Sequence, residues 1–135
     1  MREACYPHWT VEQIRFGDLD RYNHVNNVAY ATYSESARLA LLTDLEGFTE
    51  GGFWVIARLR IDYHAETRYP GVVRIGSCVP KAGRSSATIL QGMFVAGRCV
   101  ASTECVVVWL DAGTRKPVCM PYGLRERLLG CGPAS

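Results

Sequence analysis

One stretch of this chain, VAYATYSESARLALLTDL (Val28–Leu45), has the apolar spacing of a long helix, and four strand-like segments follow it without a second long helix. That order limits the fold more than any other feature. Strands grouped after one helix favour an antiparallel sheet, because parallel winding needs a helix between successive strands. Tyr30, Tyr33, Ala37, Ala40 and Leu41 fall near one helical face, with Glu35 and Arg38 away from its centre. The small side chains of Ala31, Ser34, Ala37 and Ala40 let a sheet approach closely and wrap around the helix. Asn26 or Asn27 is the expected N-cap and Gly47 the expected stop.

Ahead of the helix, Trp9–Phe16 mixes β-branched, aromatic and charged residues as a first strand does. Beyond it, Trp54–Tyr63 alternates with a period of two: Val55, Ala57, Leu59, Ile61 and Tyr63 on one face, Arg58, Arg60 and Asp62 on the other. Val72–Pro80, Ala87–Val95 and Cys99–Leu110 complete the strands, and Leu124, Leu128 and Leu129 mark a short amphipathic segment behind Pro121. The expected fold class is α+β: one long central helix wrapped by a curved antiparallel sheet of about five strands, in a single domain over residues 1–135. So small a sheet with one helix leaves an open edge, and a homodimer or homotetramer is the expected remedy.

Composition narrows the function. Lys and Arg number 15 against 13 Asp and Glu, a net charge of +2, which does not fit a general nucleic-acid binder. None of the six cysteines is spaced as CxxC and there are three histidines, so no metal site is expected. There is no apolar run of signal-peptide or membrane-span length, which leads to the expectation of a cytoplasmic protein with free thiols and no membrane partner.

The chemistry concentrates in Ile14–Arg38, IRFGDLDRYNHVNNVAYATYSESAR, which sets Asp18, Asp20 and His24 immediately before the helix. A helix N-terminus offers unpaired N–H groups and a partial positive charge, both suited to polarising a carbonyl. A carboxylate beside it supplies the nucleophile or the base that thioester cleavage requires. Either acid also suits a plain turn or a helix cap. His24 either packs the loop or orients Asp20, a water or the substrate. The segment resembles the 4-hydroxybenzoyl-CoA thioesterase branch of the hot-dog superfamily: Phe16, a spacer, Asp18-Leu19-Asp20, then His24-Val25-Asn26-Asn27 and Tyr30. The weaker family features RYPG and GRSS recur in order. The resemblance implies a hot-dog fold, Asp20 as nucleophile or general base, and the backbone N–H of Asn27 as the group that polarises the thioester carbonyl.

The same loop is similar to the D-x-N-x-H-V-N-N pattern of plant acyl-ACP thioesterases, with Tyr22 in place of the Asn. IDYHAET is similar to that family's D-Y-x-x-E-C, which puts Glu66 at its acidic position and Thr67 at its Cys position. Glu66 is read either as a solvated strand charge or as a second carboxylate, from the facing subunit, that positions water. His8 and His64 read as surface or packing residues, and Cys78, Cys99 and Cys105 as small hydrophobes. Lys81, Arg84, Ser85 and Ser86 form either an ordinary polar turn or a site for the phosphates of CoA. With no GxGxxG or P-loop, no cofactor is expected, CoA being part of the substrate. The expected function is hydrolysis of an acyl-CoA to free acid and CoA thiol. An acyl-ACP thioesterase and a non-catalytic acyl-binding protein are the rivals.

Overall fold

The computed structural model describes residues 1–46 and 50–134, with the backbone alone at Glu46. Its elements in chain order are β1 (His8–Gln13), α1 (Asn27–Glu46), β2 (Gly52–Tyr63), β3 (Val72–Ala82), β4 (Ser86–Val95), β5 (Arg98–Asp111) and α2 (Leu124–Leu129). The strands form one antiparallel sheet in the order β1-β3-β4-β5-β2, with α1 packed against it: the hot-dog arrangement. No helix among the described residues is long and apolar enough to cross a membrane.

Asn26 proves to be the helix cap, its Oδ1 accepting the Val28 N–H at 3.0 Å. The expected stop at Gly47 lies outside the described residues. β1 ends at Gln13, earlier than the apolar pattern predicts, because Ile14 N–H leaves the ladder for Gly71 O and Phe16 opens a short 3-10 turn.

Strand β2 departs from its clean alternation. A bulge between Ile56 and Arg58 absorbs one residue. Leu59, Ile61 and Tyr63 pair with Cys105, Thr103 and Ala101, but on the far side of the bulge Ile56 and Trp54 pair with Val107 and Trp109. Trp54 and Ile56 therefore share the helix-facing side, and Val55 does not. The segment is apolar at both parities there, so period alone cannot detect the shift.

Two apolar clusters lie between α1 and the sheet. Tyr30, Tyr33, Ala37, Val73, Ile75 and Met93 belong to one, and Leu41, Leu42, Ile89, Val107, Trp109 and Leu124 to the other. Burial of each large member stabilises by about 1.5–3 kcal/mol. Between them runs a polar belt: Ser77, Gln91 and Thr103 at paired positions across β3, β4 and β5, with Ser34 and Arg38 of α1 above. Arg38 is buried, contrary to its expected place off the apolar face. On the opposite side of the sheet Tyr6 lies over Gly76 and Gly92, where a Cβ would come within 2.6 Å and 2.8 Å of its atoms. Only glycine allows that approach.

Candidate active site

The polar loop before α1 is held by its own acids. Asp18 Oδ2 accepts the Arg15 N–H at 2.9 Å and the Tyr33 hydroxyl at 2.6 Å, and its carbonyl accepts the Asn26 N–H. Burial, then the adjacent Asp18 carboxylate, push the Tyr33 phenol well above its ordinary pKa, so it stays a proton donor to Asp18. Asp18 is thus a structural clamp between loop and helix.

Asp20 closes the next turn. Its Oδ1 accepts the N–H of Tyr22 at 2.8 Å and of His24 at 3.4 Å, and its N–H donates to His24 O. Asn23 completes the reversal at φ 63°, a conformation Asn tolerates better than most residues. Asp20 Oδ2 takes no hydrogen bond from the described residues, so one carboxylate oxygen remains available.

A cleft of about 370 Å³ is lined by Asp20, His24, Asn27, Tyr63, His64 and Glu66 among others. Asn27 is the first residue of α1, and its N–H has no acceptor among the described residues. Asp20 and Asn27 therefore line one space, at the positive end of a 20-residue helix.

The loop after β2 forms the opposite wall. Glu66 lies in that irregular loop and not on a strand, and its Oε2 is 3.1 Å from His24 Nε2 in the same chain. Glu66 is 68% exposed at its side chain, so this pair orients the imidazole more than it stabilises the fold. A proton on Nε2 shared with Glu66 leaves Nδ1 as the acceptor. Buried Thr67 ties the two loops together: its carbonyl accepts the Val25 N–H at 2.8 Å and its hydroxyl accepts from Tyr30 at 3.0 Å. Burial raises the Tyr30 pKa, partly offset by that bond.

Tyr63 and His64 were not foreseen in the site. Tyr63 donates to Asn27 O at 3.2 Å and meets Tyr30 edge to face, and His64 Nε2 lies 2.9 Å from Ser102 Oγ. Both sit in the IDYHAET stretch, in which the family likeness singles out only Glu66 and Thr67.

Lys81, Arg84, Ser85 and Ser86 are not brought to the cleft within one chain. They surround the β3–β4 turn, whereas β3 starts beside the Asp20 loop at Gly71. The 11 residues of β3 put on the order of 30 Å between the two ends. Arg84 instead borders a groove with Met120, Tyr122 and Arg125 at the start of α2. No group of three or more His, Cys, Asp or Glu among the described residues could hold a metal ion.

Residues 14–128 match the family described as the thioesterase-like superfamily. A search of curated proteins returned no significant match. Among solved structures, a Pseudomonas aeruginosa PAO1 protein is 26% identical, with 97% of this chain and 95% of that one covered at a TM-score of 0.88. A Thermus thermophilus thioesterase, solved with coenzyme A and Zn, is 29% identical over 94% of this chain and 95% of its own, with a TM-score of 0.84. The DHNA-CoA thioesterase of Staphylococcus aureus is 23% identical over 83% and 79% at a TM-score of 0.76, a likeness of fold. The chain belongs to the thioesterase-like superfamily and is a thioester hydrolase on a hot-dog fold.

Proposed function

We propose that the protein hydrolyses acyl-CoA thioesters to free acid and CoA thiol, with Asp20 as the reacting carboxylate. The observation that carries this is one cleft lined by Asp20, whose Oδ2 is uncommitted, and by Asn27, whose N–H is unbonded. A thioester carbonyl on the Asn27 N–H meets a donor that strengthens as negative charge develops on oxygen. Asp20 then either attacks the carbonyl carbon, giving an anhydride that water opens, or removes a proton from an attacking water. In both routes the thiolate leaves and takes up a proton. His24, oriented by Glu66, serves to position water or substrate. No cofactor enters the scheme.

The coenzyme A in the Thermus neighbour supports CoA as the carrier. Lys81, Arg84, Ser85 and Ser86 are our candidates for its phosphates, presented on this reading by a second subunit because they lie far from Asp20 in one chain. A homo-oligomer also accounts for the open edge of β2, whose Ile56, Leu59 and Tyr63 are exposed. Thiol release from short, long and aromatic acyl-CoAs, wild type beside Asp20→Ala, tests the reading. Hydrolysis that collapses in the variant supports it. Release only from acyl-ACP would transfer the activity to the protein-bound carrier, and unchanged turnover in the variant would remove Asp20 from the mechanism.

A further inference from the structure

The end of the sheet far from Asp20 carries a second concavity. Two adjoining cavities there, of about 350 Å³ and 210 Å³, share Arg84 and Cys119 among their lining residues. Met120, Tyr122, Arg125 and Glu126 also line the larger, and Ser85, Pro117 and Val118 the smaller. Backbone groups tie the walls together: Met120 N–H donates to Arg84 O at 2.9 Å, and Arg125 Nε donates to Ala82 O at 3.0 Å. Gly123, at φ 83°, turns the chain between Tyr122 and α2, a conformation that strains any residue with a side chain.

The side chains around this groove are uncommitted. Lys81, Arg84 and Arg125 pair with no carboxylate of the described residues. Tyr122 is fully exposed. A single exposed aromatic is ordinary, but this one borders a groove that also holds two guanidiniums. The two cavities differ in charge. Glu126 lines the larger alone, so the smaller presents Arg84 and the Ser85 hydroxyl with no acid among its lining residues. An aromatic ring suits a stacked base, and a guanidinium with a hydroxyl suits a phosphate. Together they are the recognition set of a nucleoside phosphate.

Resting on the acyl-CoA reading above, we propose that this groove seats the nucleotide end of CoA. Adenine stacks on Tyr122 in the larger cavity, where Glu126 accepts from its amino group, and phosphate lies on Arg84 and Ser85 in the smaller. Base and phosphate are so ordered because a carboxylate repels a phosphate and accepts from an amino group. The length of β3 separates the groove from the Asp20 loop of its own chain, so it serves the cleft of a second subunit.

Adenosine bisphosphate, the nucleotide of CoA without its pantetheine arm, is the probe, titrated calorimetrically against the full chain. Tyr122→Ala and Arg84→Gln should each weaken its binding roughly tenfold, and Tyr122→Phe, which keeps the ring, should bind as wild type does. Both positions are exposed, so the variants should fold. No binding of the bisphosphate to wild type, or equal binding by wild type, Tyr122→Ala and Arg84→Gln, overturns the proposal whatever the turnover. The same losses in titrations of CoA itself uphold it even if no thioester is cleaved. Unchanged CoA binding in variants that lose the bisphosphate gives the groove to a free nucleotide and overturns the assignment to CoA. In turnover, the ratio of kcat/KM for octanoyl-CoA to that for octanoyl-pantetheine, which has no nucleotide, should fall about tenfold in both variants. A constant ratio refutes the nucleotide seat and leaves hydrolysis standing.

Discussion

Replacing Asp20 by Asn separates the chemical role of this side chain from its structural one. In the turn, Oδ1 accepts the N–H groups of Tyr22 and His24. The carbonyl oxygen of Asn accepts both equally well, so the loop and the Asn26 cap stay in place. What the amide lacks is a lone pair basic enough to take a proton from water, or a charged oxygen able to attack. Carboxylate assistance contributes roughly 10²–10⁴ in rate, so kcat should fall about 10³-fold, or about 4 kcal/mol of barrier. KM should stay within about threefold, because carbonyl polarisation by the Asn27 N–H is untouched. The residue is half-buried, so the melting temperature should move by no more than about 2 °C. Thiol release under saturating substrate measures kcat, and circular dichroism reports the fold. Asp20→Ala should reach the same rate floor and in addition lose about 1 kcal/mol of stability with its turn bonds. If folded Asp20→Asn keeps more than about a tenth of wild-type kcat, the carboxylate is not the reacting group.

Gln91→Leu should be costly although it places an apolar residue in the core. Three buried hydroxyls lose a partner, at about 1–3 kcal/mol each, against about 2 kcal/mol regained by apolar burial. A net loss of roughly 3 kcal/mol and a fall of about 10 °C in melting temperature are expected by calorimetry; an unchanged midpoint would mean the belt is not structural. Glu66→Ala should lower kcat roughly tenfold with KM and melting temperature unchanged, and Glu66→Gln, which keeps an acceptor for His24, should restore most of it. Equal losses in the two variants would show that charge and not orientation matters. At high pH, burial pushes the Tyr6 phenol up to about 12 from 10.0. A pKa raised by folding contributes stability that is complete below pH 10 and is lost as pH climbs from 10 towards 12. Urea midpoints across that window should fall for wild type and fall less for Tyr6→Phe; parallel slopes would assign the loss elsewhere.

The loop before α1 was readable from its residues because its bonds are short in sequence. Asp18 to Arg15, Asp20 to Tyr22 and Asn26 to Val28 join neighbours two or three residues apart, and turn and cap chemistry is written at that range. The order of one helix and four following strands was readable for a similar reason, since periodicity is a local property. The bulge in β2 was not, because Phe53–Ala57 is apolar at either parity and only pairing with β5 selects one. Glu66 meets His24 across 42 positions, and Arg38, polar on a helix flank, is buried beside Ser34, which itself bonds Gln91 of β4 across 57 positions. The remoteness of Lys81 and Arg84 from Asp20 likewise depends on which end of β3 faces the Asp20 loop. Amino-acid order by itself determined the elements and the Asp20 turn, whose contacts lie within a few residues. Strand order and register, which bring distant residues together, decided the rest of the site and what the core encloses.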